Sequence, residues 1–280
     1  MTWRMRVVHK TGYAYDAPVT SSYNEVRLTP RADSRQTVVL NRVETTPATR
    51  SYRYVDYWGT AVTAFDLHAP HTSLEVTGLS VVETEETAVP DEAIGWDELR
   101  SEENRDRYDE VLLPSRYVPA DRGLARVARQ IAKGADPVAA VLAAAQWVHD
   151  EMSYVPGTTG VHTSAVQAFE EREGVCQDYA HLTLLLLRGM GIPSRYVSGY
   201  LHPTAAAPVG ATVAGESHAW VEAWTGSWWG YDPTNATVVG EQHVSVGTGR
   251  DYADVPPLKG IYSGGGSTAL DVVVEVTRLA

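Results

Sequence analysis

The single cysteine, Cys176, stands in the run Gly174-Val175-Cys176-Gln177-Asp178-Tyr179-Ala180-His181-Leu182, directly ahead of the apolar segment 183–188. A thiol at a helix start has its ionised form favoured by the free N–H groups of the first turn, and a neighbouring imidazolium favours it further. The same N–H groups can hold negative charge that develops on a substrate carbonyl oxygen. A thiolate nucleophile needs a base, and the base needs an acceptor to orient it. Both are available downstream. His218 stands near the start of Glu216-Ser217-His218-Ala219-Trp220-Val221-Glu222, and Asp232 ends a strand pattern in Trp229-Gly230-Tyr231-Asp232-Pro233-Thr234-Asn235. With Thr225-Gly226 as the turn, a hairpin centred on residue 225 sets His218 directly opposite Asp232. Asp232 then accepts from one ring nitrogen while the other faces the sulfur, and Pro233 ends the strand and fixes the direction of the carboxylate. Each residue also has an ordinary structural use: a lone cysteine as a core hydrophobe, a strand-start histidine as a half-buried polar group, Asp-Pro as a turn pair. Spacing alone leaves catalysis and plain structure both open.

The segments that must position these residues change character along the chain. Period-two alternation in 4–9, 36–43, 60–67 and 73–82, punctuated by Pro, Gly, Asn and Asp, predicts an antiparallel β-sandwich or barrel over residues 1–85. Residues 86–113 are rich in carboxylates and poor in periodicity, and read as an acidic connector with a solvated face. Helical spacing then appears in 122–133 and 137–152, with Asp121 and Asp136 as N-caps and Gly134 closing the first helix. A short helix fits 164–172, and a further helix begins at or just after Cys176 and stops at Gly189-Met190-Gly191. Strand patterns return in 194–200, 218–224 and 227–232, so residues 114–260 read as a core of helices packed on an antiparallel sheet. The tail 261–280 holds a C-terminal strand able to return to the β domain. The fold class is therefore α+β, with a separate N-terminal β domain. There is no internal repeat, and Gly264-Gly265-Gly266 is the one low-complexity tract.

Composition narrows the function classes. A chain of 280 residues with 44% hydrophobic and 21% charged residues is globular and long enough for two domains. Its formal charge of -12 repels nucleic acid and anionic membrane surfaces, so neither is expected as a partner. No run approaches the roughly 18 apolar residues of a membrane span, and residues 1–10 lack the apolar stretch of a signal peptide. The expectation is a soluble, cytoplasmic protein whose thiol stays reduced. His162, His181, His202, His218 and His243 are scattered, with no HExxH or His-x-His pairing and no companion thiol. A calcium loop and a P-loop are missing as well, and Gly264-Gly265-Gly266 lacks a strand-to-helix setting, so no metal or cofactor is expected.

Four segments in order, 174–182, 191–200, 218–222 and 230–235, resemble the bacterial transglutaminase-like superfamily. The β-rich start resembles the N-terminal region that accompanies it in bacteria, and residues 249–257 and the closing strand match the same family, so the resemblance covers nearly the whole chain. It implies a papain-like core with a triad of Cys176, His218 and Asp232, none of them substituted. It further implies acyl transfer from an amide, in a peptide or a glutamine side chain, through a thioester, with a peptide or protein as the substrate. Water as the second nucleophile makes a peptidase or amidase, an amine makes a transglutaminase; hydrolysis is slightly favoured because no organised amine site is identified. The alternative is a non-enzymatic scaffold whose β domain binds a partner. Tyr154, on the exit of a helix, is the candidate side-chain oxyanion donor, with Gln177 and Trp220 as further oxyanion or substrate candidates. Asp178 is expected to serve structure. Trp220, Trp224, Trp228 and Trp229 alternate across two strands as core, some of them beside a substrate cleft.

Overall fold

In the computed structural model, which describes residues 2–90, 94–204, 207–215 and 217–280, the chain opens on a long strand, β1 (Thr2–Val26). It is followed by β2 (Gln36–Thr46), β3 (Ser51–Val55), β4 (Ala61–Leu67) and β5 (His71–Glu85). Three short helices come next: α1 (Trp96–Leu99), α2 (Glu102–Arg107) and α3 (Asp109–Leu112). The core then contributes α4 (Arg122–Ile131), α5 (Pro137–Glu151), β6 (Ser153–Tyr154), α6 (Ala165–Glu171), β7 (Glu173–Gly174) and α7 (Cys176–Met190). After them come β8 (Ser194–Leu201), β9 (Thr212–Gly215), β10 (Ser217–Trp224), β11 (Trp228–Asp232), β12 (Thr237–Val238) and β13 (His243–Gly249). Two strands close the chain, β14 (Leu258–Gly264) and β15 (Ser267–Arg278), which lie one after the other along β1 with Gly264-Gly265-Gly266 at their junction.

The architecture is α+β. β1 organises the N-terminal sheet because both of its halves find partners. Trp3, Met5, Val7, His9 and Thr11 are buried while Arg4, Arg6 and Lys10 are exposed, the alternation of a strand covered on one face. This half pairs antiparallel with β5 on one side and β15 on the other. Past a break in register after Ala14, the second half pairs with β4 and β14, so the sheet curls instead of staying flat. β1 therefore runs far beyond the strand expected at 4–9. The acidic connector also differs from expectation: its described residues hold three helical turns, pinned by buried Leu99 and Val111, with Ser101 accepting from the Asn104 N–H to cap α2. Turns that bury at most one residue each leave no periodicity to read. Residues 91–93 of that segment lie outside the described residues.

In the core, a five-stranded sheet in the order β12-β11-β10-β8-β13 carries α7 on one face. α4 and α5 start at the expected caps, Asp121 accepting from Leu124 N–H and Asp136 from Ala139 N–H. α7 is buried on nearly all sides: Leu182, Leu184, Leu186 and Leu187 are fully buried, packed among α4, α5 and the β10 residues Ala219, Val221 and Ala223. At about 2 kcal/mol for each buried leucine, this packing fixes the helix and hence its first residue, Cys176. Among the described residues, no helix is long and apolar enough to cross a membrane.

The two sheets meet through Trp3, Met5, Val7 and Val276 on one side and Tyr200, Val244 and Val246 on the other. β9 leaves the core to pair with β15. Beside this apolar seam, Glu222 of β10 accepts from Arg195 at 2.6 Å and from Arg31 at 2.9 Å, the latter from the loop after β1. Burial would raise the Glu222 carboxyl, but the two guanidinium groups outweigh it and hold it below its ordinary range. Removing this carboxylate leaves Arg195 half-buried without a counter-charge and Arg31 with Asp33 alone. Glu222→Ala is therefore expected to lower unfolding free energy by about 3 kcal/mol in urea titrations; a loss below the ~0.5 kcal/mol of a surface change would mean the pair adds nothing to the junction.

Candidate active site

Cys176 is the first residue of α7, partly exposed, and the chain ahead of it is held from two sides. The short strands β6 and β7 pair in parallel, setting Tyr154 beside Gly174, and the Val155 N–H donates to the Gly174 carbonyl at 3.0 Å. A side chain at position 174 would begin 2.7 Å from the Asp178 carboxylate, which occupies that space. From there Asp178 accepts from the Val175 N–H at 2.8 Å and from Thr159 Oγ1 at 2.6 Å. Asp178 thus has the expected structural role, tying the approach to the nucleophile back onto the first turn. Burial raises its carboxyl above the ordinary value.

The sulfur lies 3.9 Å from the carbonyl oxygen of Ser217, the residue before His218. His218 Nε2 donates to Asp232 Oδ2 at 2.7 Å, and Cys176 lies near enough to bear on the charge of the ring. The structure therefore brings Cys176, His218 and Asp232 together, by a different register from the one expected. The hairpin pairs Trp224 with Trp228 and Val221 with Tyr231, so its centre is residue 226 and the loop holds Thr225, Gly226 and Ser227. The shift moves the direct partner of Asp232 from His218 to Trp220. Parity is preserved, so His218 and Asp232 stay on one face as diagonal neighbours, still within reach of a long side chain.

Asp232 is fully buried and accepts from five donors. Thr234 N–H and Asn235 N–H reach Oδ1 at 2.9 and 3.2 Å, while Asn235 Nδ2 reaches Oδ2 at 2.8 Å. His243 Nε2 lies 3.2 Å from the same Oδ2. His243 Nδ1 accepts from the Gly240 N–H, which leaves Nε2 as the protonated nitrogen facing Asp232. Burial pushes the His243 pKa down more than the nearby carboxylate lifts it, so this ring is a neutral donor. For Asp232, burial opposes ionisation, yet the hydrogen bonds from His218 and His243 outweigh it and hold the carboxyl far below the usual range. Sequence reasoning assigned no role to His243 or Asn235. Asn235 had a signal, since the turn after an Asp-Pro pair supplies donors back to the aspartate. His243 had none: it opens β13, on the far side of β8, and only the sheet order brings it in.

Cys176 and His218 open onto a cavity of about 460 Å³. Tyr154, Gln177, Tyr196 and Tyr252 line it on the core side, and β1 and β15 of the N-terminal sheet supply another wall. Tyr154 is 45% exposed there, close enough to Gly174 to border the nucleophile. Gln177 Nε2 donates to the Val161 carbonyl at 3.3 Å, so its amide is engaged in holding the adjoining loop. Trp220 requires correction as a substrate contact: it is fully buried in a cluster with Val197 and Val239. Its ring meets His243 edge-on at 5.2 Å and lies against Gly199, where a Cβ would sit 2.5 Å from the indole. It supports the histidines from behind. The ligand atoms of His218, Asp232 and His243 lie within 4.8 Å of one another, but each is already hydrogen-bonded to another of the three, and a metal would have to displace those protons.

Burial lowers the pKa of His218, but the hydrogen bonds to Asp232 and Cys176, and the negative charge there, raise it further, to about 10. In the unfolded chain the ring titrates near its ordinary 6.5. The stability contributed by this raised pKa is complete below pH 6.5 and is lost as pH rises through about 10. In urea unfolding, the stability difference between the protein and its His218→Ala variant should therefore shrink steadily from pH 6.5 to pH 10. A difference that stays flat or grows over that window would show that the imidazolium is not stabilised in the fold.

Residues 125–233 match the family model of the transglutaminase-like superfamily, and residues 5–83 that of the bacterial transglutaminase-like N-terminal region. An uncharacterized protein of Mycobacterium leprae is 63% identical over 278 residues, covering 99% of this chain and 100% of that protein. A protein-glutamine gamma-glutamyltransferase of Pseudomonas aeruginosa is 35% identical over 171 residues, 55% of this chain but 25% of that protein. A crystal structure of a candidate cysteine protease from Cytophaga hutchinsonii superposes with a TM-score of 0.77 at 23% identity, over 100% of this chain and 92% of that one, and shares the fold. With a papain-like α+β core behind a curled N-terminal sheet, and family models matching both, the chain belongs to the transglutaminase-like superfamily.

Proposed function

We propose that the protein is a cysteine-dependent acyl-transfer enzyme in which Cys176 attacks an amide carbonyl, His218 carries the proton and Asp232 orients His218. Membership in the superfamily supports a cysteine-based enzymatic activity in general terms. The observation that carries the finer reading is the 2.7 Å bond from His218 Nε2 to buried Asp232, with the Cys176 sulfur 3.9 Å from the carbonyl oxygen of Ser217, next to that ring. An imidazolium held in this way is the partner a reactive thiolate requires.

The sulfur bonds to the carbonyl carbon and the carbonyl electrons move to oxygen, giving a tetrahedral oxyanion. Backbone N–H groups at the start of α7 can hold that charge. Tyr154, bordering the cavity beside Gly174, is the side-chain candidate to assist them. His218 then gives its proton to the leaving nitrogen, the C–N bond breaks, and a thioester remains. A second nucleophile attacks the thioester, passes its proton to His218 and releases the thiolate. The partly exposed sulfur and the open cavity favour water as that nucleophile, making the protein a peptidase or amidase. Amine transfer is the second reading, favoured by the similarity to a protein-glutamine gamma-glutamyltransferase.

Intact mass spectrometry after exposure to a glutamine-containing peptide library, with and without added primary amine, reads the reaction. A transient acyl adduct on Cys176 that ends as carboxylic acid in both conditions is the expected result, and amine-capped product would select transfer. Cys176→Ala should abolish the adduct while leaving the fold intact, and Asp232→Asn should slow turnover by about 10²- to 10⁴-fold by misorienting His218. Turnover retained in Cys176→Ala rejects the proposal.

A further inference from the structure

The wall that the N-terminal sheet presents to Cys176 has a definite chemistry. His9, Thr11 and Tyr13 of β1 pair directly with Val274, Val272 and Leu270 of β15, and all six line the cavity that holds Cys176 and His218. Alternation makes this patch continuous, because residues two apart on paired strands share a face. At its deep end the polar atoms satisfy one another: His9 Nδ1 lies 3.0 Å from the Tyr200 hydroxyl and Nε2 lies 3.1 Å from Thr11 Oγ1. Burial lowers the His9 pKa to about 4, so this ring is neutral at pH 7. At the open end, Leu270 and Val272 are 59% and 49% exposed, two aliphatic side chains left facing solvent in the cavity of a candidate nucleophile. Among the described residues lining the cavity there is no Asp, Glu, Lys or Arg, in a chain whose formal charge is -12.

We infer that this β1–β15 face is a specificity wall, selecting acyl donors that carry an uncharged, apolar side chain next to the reacting carbonyl; the inference rests on the acyl-transfer reading above. An aliphatic side chain laid against Leu270 and Val272 gains in proportion to the apolar area removed from water. A carboxylate or ammonium laid against Leu270 and Val272 loses hydration, and the one cation lining the cavity, the His218 imidazolium, is already paired with Asp232. Discrimination follows from the difference between the two, and most of it comes from rejection of the charged donor. The N-terminal sheet is thereby a binding element as well as a brace.

The test uses p-nitrophenyl esters of N-acetyl-leucine, N-acetyl-glutamate and N-acetyl-lysine. Acylation forms the bond from sulfur to carbonyl carbon and expels p-nitrophenolate, so release gives kcat/KM and intact mass locates the acyl group. The leucine ester is expected to exceed both charged esters at least tenfold in kcat/KM. Leu270→Lys and Val272→Lys, both at exposed positions that accept a lysine without repacking, are each expected to reduce the leucine-to-glutamate ratio at least tenfold. Acyl adducts on Cys176 with equal kcat/KM for all three esters, or a ratio unchanged in both variants, would overturn the wall and leave the acyl-transfer reading standing. Absence of any adduct on Cys176 would overturn both.

Discussion

The buried carboxylate of Asp232 is the interaction on which the rest of the site depends. Taking an ionised carboxylate out of water is costly, and it persists only where its acceptor positions are filled. Five donors fill them here, from three places in the chain: His218 on β10, Thr234 and Asn235 in the turn after β11, and His243 at the start of β13. Because Oδ1 is taken by the turn and Oδ2 by side chains, the carboxylate cannot rotate without losing several bonds together. His218 inherits that rigidity. Its Nε2 is committed to Asp232, which limits how the ring can turn, and α7 delivers the sulfur to the same cavity.

The support for Asp232 extends into the N-terminal sheet through His243. Arg35, just before β2, donates to the carbonyls of Gly240 and His243 and to Ser245 Oγ, and Gln36 exchanges two hydrogen bonds with the backbone of Ser245. The loop whose N–H group fixes the His243 tautomer is thus held from the opposite domain. Burial lowers the Arg35 pKa, yet its contacts with backbone carbonyls give the guanidinium a partner in each direction it faces. The same sheet that clamps this loop also supplies the β1–β15 wall of the cavity. Bracing and lining are two consequences of one packing arrangement, the apolar seam from Trp3 to Val246.

How much of this was legible in the sequence follows from the range over which each signal acts. Helix caps are local, so Asp121 and Asp136 could be read from a few residues. Hairpins are nearly local, so His218 and Asp232 could be assigned to one face of a common hairpin. Their offset could not, because the loop takes three residues instead of two, and a glycine at φ 112 fits more than one turn geometry. The face survived the error only because register shifts by whole pairs preserve parity. Trp220 illustrates the next limit: alternation puts it on the face of His218, but whether that face is cleft or core depends on what covers it, here Val197 and Val239. His243 and the long run of β1 depend on sheet order, which short-range pattern does not contain. The partners of β1's second half come from residues 61–67 and 258–264, far apart in the chain.

The distribution of charge gives the site a consistent electrostatic logic. The excess of acidic groups, 35 against 23 basic, lies away from the described lining of the cavity, which carries no Asp, Glu, Lys or Arg. The attraction of the His218 imidazolium for the Asp232 carboxylate is stronger in such surroundings than it would be in open water. An incoming charged side chain finds in the lining no ion except the one that Asp232 already holds. Beyond about 8 Å at physiological ionic strength, the surface charge is largely screened and acts on approach alone. Selection among donors must then be decided by contact inside the cavity, where neutral His9 and aliphatic Val272 and Leu270 set the terms. A strand pair whose inner end is internally hydrogen-bonded and whose outer end is bare hydrocarbon can make that choice without placing any new charge next to the His218 imidazolium.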